Sequence, residues 1–451
     1  MSTLKAWAST IWTHLLIWGA GFAALAKLLE IAFTCLNGTG TFASRITAKL
    51  TSPEGLRTGF TFARAFLPSL ALKKTFVTAY ENNGTVVVTR YEDVKEVLRR
   101  DDDFAVVYGP RMRQITAGEN FFLGMQDTPD YTRDVSNMRI AVRRDDLPSI
   151  IAPFAAAQAN AIVTESQGRI DVPQALTLRV PARLMATYFG TPGPSEDTLI
   201  NWTTLGFWYL FLDLTADPAF GTKALAAAAD FRAYLDEAIA ARKASPTTTD
   251  DILNRCLAMQ QAGLPGMDDL GIRNNLIGLI IGAVPTTSKA AIQALDQLLD
   301  RPQALAGAQA AARDDDDAQL AAHIFEALRF NPVNPMIYRR AVRGTTIAAN
   351  TTRAVFAPEG SMVFAANLSA MFDPFTVTNP NDFIPNRPAQ DYILWGDGLH
   401  TCFGAHINQI LIPAILKPLL RQQNLRRTPG PAGQIDTGGT PFPQHLWLEF
   451  G

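Results

Sequence analysis

Ten residues, Trp395 to Gly404 (WGDGLHTCFG), constrain this chain more than any other stretch. At their centre stands Cys402, one of only three cysteines in 451 residues, with Gly398 and His400 before it and Gly404 after it. The AHINQILIPAILKPLL run after it reads as an apolar helix. A helix beginning near Cys402 aims free backbone N–H groups and the positive end of its dipole at the sulfur, favouring the thiolate, which is the metal-binding form. Glycine at 398 allows a turn that other residues resist, and glycine at 404 lets a flat cofactor approach the backbone. Those are the needs of a haem iron held by one axial thiolate. The competing reading is an inert buried thiol in a glycine-rich turn.

Composition removes several alternatives. Cys35, Cys256 and Cys402 lie far apart with no paired spacing, which argues against a disulfide framework and a zinc site, so a reducing compartment is the default. With 47% hydrophobic and 18% charged residues and a net charge of -2, the chain is an ordinary globular one. Its basic residues are scattered, which leaves no electrostatic footprint for nucleic acid. It carries neither a glycine-rich dinucleotide fingerprint nor an iron–sulfur cysteine cluster. Electrons, where needed, have to come from a separate partner.

The Cys402 loop resembles the haem-binding loop of the cytochrome P450 family, with Trp395 where phenylalanine is usual. The resemblance implies a mainly α-helical P450 fold with a smaller β region towards the N-terminal side, haem b as cofactor, Cys402 as iron ligand and His400 at a propionate. It covers roughly Gly84 to Phe450. Two further segments carry it in the right order: HIFEALRFNP, with Glu326 and Arg329, and NPNDFIPNRP, with Arg387. In the family these three residues form a brace, and a carboxylate shared by two guanidinium groups suits burial. In NPMIYRRAVRG, Arg339 fits the second propionate arginine and Arg340 is the alternative. In MQDTPDYTRDVSNMR, Tyr131 and Val135 stand where the family places a His and an Arg, leaving Arg133 or Arg139 as substitutes. Arg139, Arg143 and Arg144 read as a basic surface for a redox partner or as a solvated helix face. The Val107–Gln126 segment, the aromatic run with Trp202, Leu205, Trp208 and Phe211, and Phe442 take the places of pocket-lining elements, with core packing the other reading.

The stretch Asn274 to Pro302 reads as one long apolar helix whose polar residues appear only after its middle. By the resemblance it crosses the haem, with Gly282 and Ala283 as the small pair and Thr286 as the threonine that assists oxygen activation. Pro285 replaces the acid that usually precedes that threonine. A proline there removes one helix hydrogen bond, frees the carbonyl of Ile281 and bends the helix. Thr286, Thr287 and Ser288 with ordered water are the candidate proton relay, and nothing obvious feeds it.

The expected organisation is an N-terminal apolar helix and linker over 1–44 and a haem domain over 45–451. Residues 6–26 carry no charged side chain and are long enough to span a bilayer. They read as a membrane anchor or interfacial helix, a packed helix, or a cleaved signal, in that order. Lys27, Arg45 and Lys49 would keep the rest of the chain in the cytoplasm. Gly84–Arg100 reads as a strand and then a helix, Asp101–Asp103 as a solvated turn, and Pro413 and Pro418 interrupt the helix after Cys402. The expected function is a monomeric haem-thiolate monooxygenase that oxidises a lipophilic small molecule with ferredoxin/reductase electrons. The alternatives are a peroxide-using peroxygenase or lipid hydroperoxide isomerase and, outside enzymes, a haem-thiolate sensor or carrier.

Overall fold

The computed structural model describes residues 2–451, with side chains from residue 11 onward. The chain divides into two compact units. One comprises Met1–Phe76, Glu81–Ala105 and Arg329–Thr401; the other comprises Val77–Tyr80, Val106–Leu328 and Cys402–Gly451.

The first unit is built on a five-stranded sheet in the order Ser69–Leu72, Thr85–Val88, Met362–Ala365, Ile337–Ala341, Phe104–Ala105. The pairing of Thr85–Val88 with Met362–Ala365 is parallel and the rest are antiparallel. Strands from both ends of the sequence therefore share one sheet, so the β region is less N-terminal than the sequence implies. The β-branched run TVVV forms the inner strand, and the helix Tyr91–Arg99 comes next with Val94, Val97 and Leu98 buried on one face. Burial of each such side chain contributes about 1.5–3 kcal/mol. The turn at 101–103 is only partly solvated: Asp103 is buried between Arg100 at 2.5 Å and Arg343 at 2.6 Å. An unpaired carboxylate there would be costly, and the two guanidinium groups remove that cost.

The N-terminal helix, Ser2–Thr34, lies along the helix Pro53–Phe66. Gly21 makes the approach possible, because a Cβ there would fall 2.4 Å from that of Ala65. The opposite face stays open, with Trp12 63% and Phe33 75% exposed. The Asn37–Ser44 stretch is not a loose linker. The Arg45 guanidinium donates to the carbonyls of Cys35, Leu36, Gly38, Thr39 and Gly40, gathering the turn that ends the helix.

The second unit is helical, with one small sheet of Arg169–Asp171, Trp447–Glu449 and Arg426–Arg427. Its axis is the helix Asp269–Leu299, whose first turn is capped by the Asp268 carboxylate accepting from the Gly271 N–H. The helix Glu196–Phe207 crosses it closely at Gly206, where a Cβ would meet Ile281 at 2.7 Å. Val107–Gln126 holds a helix, Gly109–Thr116, and a single 3₁₀ turn. The helix after Cys402 runs unbroken from Ala405 to Leu420 through Pro413 and Pro418. Both rings are buried, so packing holds the helix where the proline N–H groups are missing.

Candidate active site

The turn entering Cys402 belongs to the first unit, which ends at Thr401. Gly398 has φ +76°, and a Cβ there would sit 2.4 Å from the carbonyl oxygen of Leu98, so glycine is required both by backbone angle and by space. The Thr401 hydroxyl donates to the Gly398 carbonyl at 2.7 Å and closes the turn. Trp395 and His400 are half-buried beside it. Burial, and after it the Arg339 charge, push the His400 pKa down to about 4, leaving a neutral imidazole near a guanidinium. Arg339 is itself buried. An anionic group is what this pair would favour.

The brace residues are buried as expected. Glu326 and Arg329 lie one turn apart on the helix Asp317–Phe330 with no exposed surface, and Arg387 is 7% exposed. Arg329 donates to the carbonyls of Met371 at 3.1 Å, Pro380 at 2.8 Å and Asp382 at 3.1 Å. Arg387 donates to Thr378 at 2.5 Å, Asn379 at 2.8 Å and the same Asp382 carbonyl at 2.9 Å. The two guanidinium groups thus converge on one backbone oxygen and pin residues 371–382.

In the second unit, Cys402 is the one exposed cysteine of the three, yet surrounding protein raises its thiol pKa. Opposing that burial, the N–H groups of Gly404 and Ala405 point to the sulfur and favour the thiolate. A Cβ on Gly404 would meet only ordinary contacts, Asn408 Nδ2 at 3.4 Å and Cys402 Sγ at 3.9 Å. Packing in this chain therefore does not demand glycine at 404. Cys256 is fully buried and pushed up to about 12, chiefly by desolvation, which marks it as inert.

The helix Asp269–Leu299 has one open side. Between Leu276 and Ile292 only Leu279, Gly282, Ala283, Thr286 and Lys289 are partly exposed, a spacing that puts them on one face. A Cβ added at Gly282 would meet nothing within 4 Å. The helix continues through Pro285, and the Thr286 hydroxyl donates back to the Gly282 carbonyl. Thr287 and Ser288 point elsewhere: Thr287 donates to Asn408 Oδ1 at 2.7 Å, and Ser288 shares a hydrogen bond with Thr177 at 2.8 Å. Thr287 thus ties this helix to the one beyond Cys402, and of the relay candidates Thr286 alone stands on the open face. No carboxylate stands there. Lys289, which sequence reading passed over, does, and burial lowers its pKa to about 8. Its spacing of three from Thr286 is the signal that finds it.

A train of rings bounds the same unit: Tyr80, Tyr108, Phe211, Phe207 and Phe442, with neighbouring centroids 4.6–6.0 Å apart. Phe442 and Trp202 are buried, while Trp208 packs at a tilt against Phe220, ring centroids 4.1 Å apart. Tyr131 and Val135 are both buried. Arg133 is held by Asp130 and Asp134, each at 2.8 Å, so it is not available as a substitute there. Arg139 is exposed, Arg143 pairs with Asp250 at 3.2 Å, and Arg144 meets His406 at 2.8 Å.

These features fit haem. Among the described residues no three His, Cys, Asp or Glu side chains gather to hold a bare metal ion. A single exposed cysteine with two N–H groups on its sulfur, and a helix face opened by small residues, suit a ligated porphyrin instead.

The family model for cytochrome P450 matches residues 72–432. The erythromycin C-12 hydroxylase of Saccharopolyspora erythraea is 24% identical over 337 residues, 72% of this chain and 79% of that protein. A bifunctional dioxygenase–epoxy alcohol synthase of Fusarium oxysporum is 28% identical over 201 residues, 42% of this chain, of which this chain spans only 15%. Among solved structures, P450BioI in complex with an acyl carrier protein ligated to hexadec-9Z-enoic acid superposes with a TM-score of 0.74 at 20% identity, covering 88% of this chain and 99% of that one. The mainly α fold with a smaller β region is that of these neighbours. Haem iron is the family's cofactor and oxidation its chemistry. The chain belongs to the cytochrome P450 family.

Proposed function

We propose that Cys402 holds the haem iron through its thiolate and that the chain oxidises a lipophilic small molecule, with electrons from a separate ferredoxin-type donor. The observation that carries this is Cys402, the one exposed cysteine, with the N–H groups of Gly404 and Ala405 on its sulfur. When bound, a thiolate-ligated haem supplies oxygen-atom transfer to unactivated carbon. The chain's own part is to bind and orient. His400 and Arg339 receive propionate charge; Trp395, Gly398 and Gly404 shape the loop; Glu326, Arg329 and Arg387 keep the supporting segment in place; and the rings from Tyr80 to Phe442 exclude water. Thr286 holds a hydroxyl on the open helix face. The exposed Arg139 is the basic group offered to a redox partner.

A reduced, CO-bound spectrum tests the assignment. The shifted Soret band of thiolate-ligated haem is expected, and it is absent in Cys402→Ser; an unshifted band in the parent chain overturns the reading.

A second reading, use of peroxide or rearrangement of a lipid hydroperoxide, is favoured by Pro285 in place of the acid and by Thr286 bonding back to Gly282. Peroxide arrives with its protons, so the missing donor matters less. The similarity to a dioxygenase–epoxy alcohol synthase points the same way. Turnover with peroxide but not with surrogate ferredoxins selects this reading. Under the first, Pro285→Glu raises oxygen-dependent coupling by roughly tenfold or more.

The N-terminal helix is proposed to lie on a membrane with the haem domain on the cytoplasmic side. Its outward Trp12, Trp18, Phe22 and Phe33 support this, as does the apolar length Ile11–Thr34. Vesicle co-sedimentation that persists after removal of residues 1–34 rules it out.

A further inference from the structure

Next to the open face of the long helix lies a cavity of about 220 Å³ bounded by Leu178, Ile200, Pro285, Lys289, Phe442 and Gln444. It falls below the roughly 300 Å³ at which ligand pockets begin, so it suits one end of a molecule rather than a whole one. Lys289 is the one cation among its lining residues. The amine makes no hydrogen bond or ion pair with the described residues; its attractive neighbour is the Phe442 ring, 5.8 Å away. The one carboxylate in the lining, Asp197, is 79% exposed and committed to Arg179 at 2.5 Å, which puts it at the mouth. Burial lowers the lysine pKa to about 8, so at neutral pH most of the amine still carries its proton. A largely dehydrated charge without a counter-charge is unfavourable, and a buried anion beside it relieves that cost.

Lys289 also shares the open stripe with Thr286, three residues and about 4.5 Å along the axis away. The Phe207 and Phe442 rings, 6.0 Å apart, give an apolar wall beside the amine. We propose that this cavity takes the carboxylate end of an amphipathic substrate, with Lys289 as its ion-pair partner and the apolar remainder lying along the stripe towards Thr286. It rests on reading that stripe as the substrate-facing side of the haem. One lysine and no arginine match a monoanion; a phosphate ester, with its second charge, would call for a guanidinium fork.

The test is calorimetric titration of the haem-loaded full chain with dodecanoate, 1-dodecanol and dodecyl phosphate, repeated on Lys289→Met and Lys289→Arg. The parent chain is expected to bind dodecanoate at least about tenfold more tightly than dodecanol. Lys289→Met loses that preference while keeping dodecanol affinity, which also shows that the variant is folded; Lys289→Arg retains part of it. Equal binding of acid and alcohol by the parent chain, no binding of either, a preference that survives in Lys289→Met, or a preference for the phosphate overturns the inference. CO spectra of the same samples separate the two failures. A shifted band without carboxylate preference leaves the haem reading standing, and the preference without a shifted band leaves the pocket standing.

Discussion

In the turn that precedes Cys402 and in the segments that support it, backbone groups are spoken for. Gly398 sits against the Leu98 carbonyl, Thr401 closes on Gly398, and Arg329 and Arg387 together occupy five different carbonyls from Met371 to Asp382. On the helix Asp269–Leu299 the arrangement is the reverse. A proline deletes one N–H, a hydroxyl bends back on its own helix, and a stripe of small residues and one lysine is left open. Positioning a metal ligand asks for one fixed geometry, and geometry of that kind is written in backbone angles. Receiving a substrate asks for room, which is written in side chains left small. The two regions should therefore respond differently to substitution.

The largest effect is expected at Arg329. Arg329→Met removes three hydrogen bonds of a fully buried guanidinium, leaving the Met371 and Pro380 carbonyls without this donor, and should cost roughly 3–5 kcal/mol in denaturant unfolding. A loss below about 1 kcal/mol would mean that the support of the turn is not built on this residue. Combined with Arg387→Met, the loss should exceed the sum, because the Asp382 carbonyl loses its last guanidinium donor only when both are gone. Gly398→Ala comes next, at about 2–4 kcal/mol, since the left-handed angle and the Leu98 oxygen are both violated. An unchanged melting temperature would show that the turn is softer than described.

On the open side the effects are smaller and have a different signature. Lys289 has its folded pKa lowered from 10.5 to about 8, so between those values the unfolded chain holds more protons than the folded one. Stability therefore rises with pH through that window, by at most about 3 kcal/mol and less where water reaches the amine. Urea unfolding at about pH 7 and about pH 10 should show a rise in the parent chain that Lys289→Met lacks; equal slopes in both remove the lysine from the account. The smallest change is expected for Thr287→Val, about 1–2 kcal/mol, from the orphaned Asn408 oxygen. If peroxide or oxygen turnover fell in that variant far more than stability, Thr287 would belong to the relay after all.

The region of fixed backbone was the legible one. Gly398 and Cys402 announce themselves because few residues tolerate such a turn, whereas Glu326, Arg329 and Arg387 were legible only through the family resemblance, since a Glu and an Arg three apart are most often a solvated pair. Even so, the meeting of two guanidinium groups on the Asp382 carbonyl involves a main-chain atom, which no side-chain pattern displays. The open face was less legible. That Thr287 and Ser288 point away from it depends on which of three consecutive hydroxyls a helix turns outward, and that is fixed by Asn408 and Thr177, distant in sequence. Lys289 looks like any polar residue in a helix until the apolar neighbours that dehydrate it are known. The two prolines after Cys402 misled for a related reason, since packing along the whole helix outweighs two absent hydrogen bonds.

Arg45 gives the stretch beside it a character that its glycines and threonines conceal. With five carbonyls gathered on one guanidinium, residues 35–40 are closed to the extended conformation a protease must impose before cutting. The N-terminal helix should therefore stay attached through limited digestion with a protease of broad specificity such as proteinase K, and neutralising that one side chain should open residues 35–40 to cleavage.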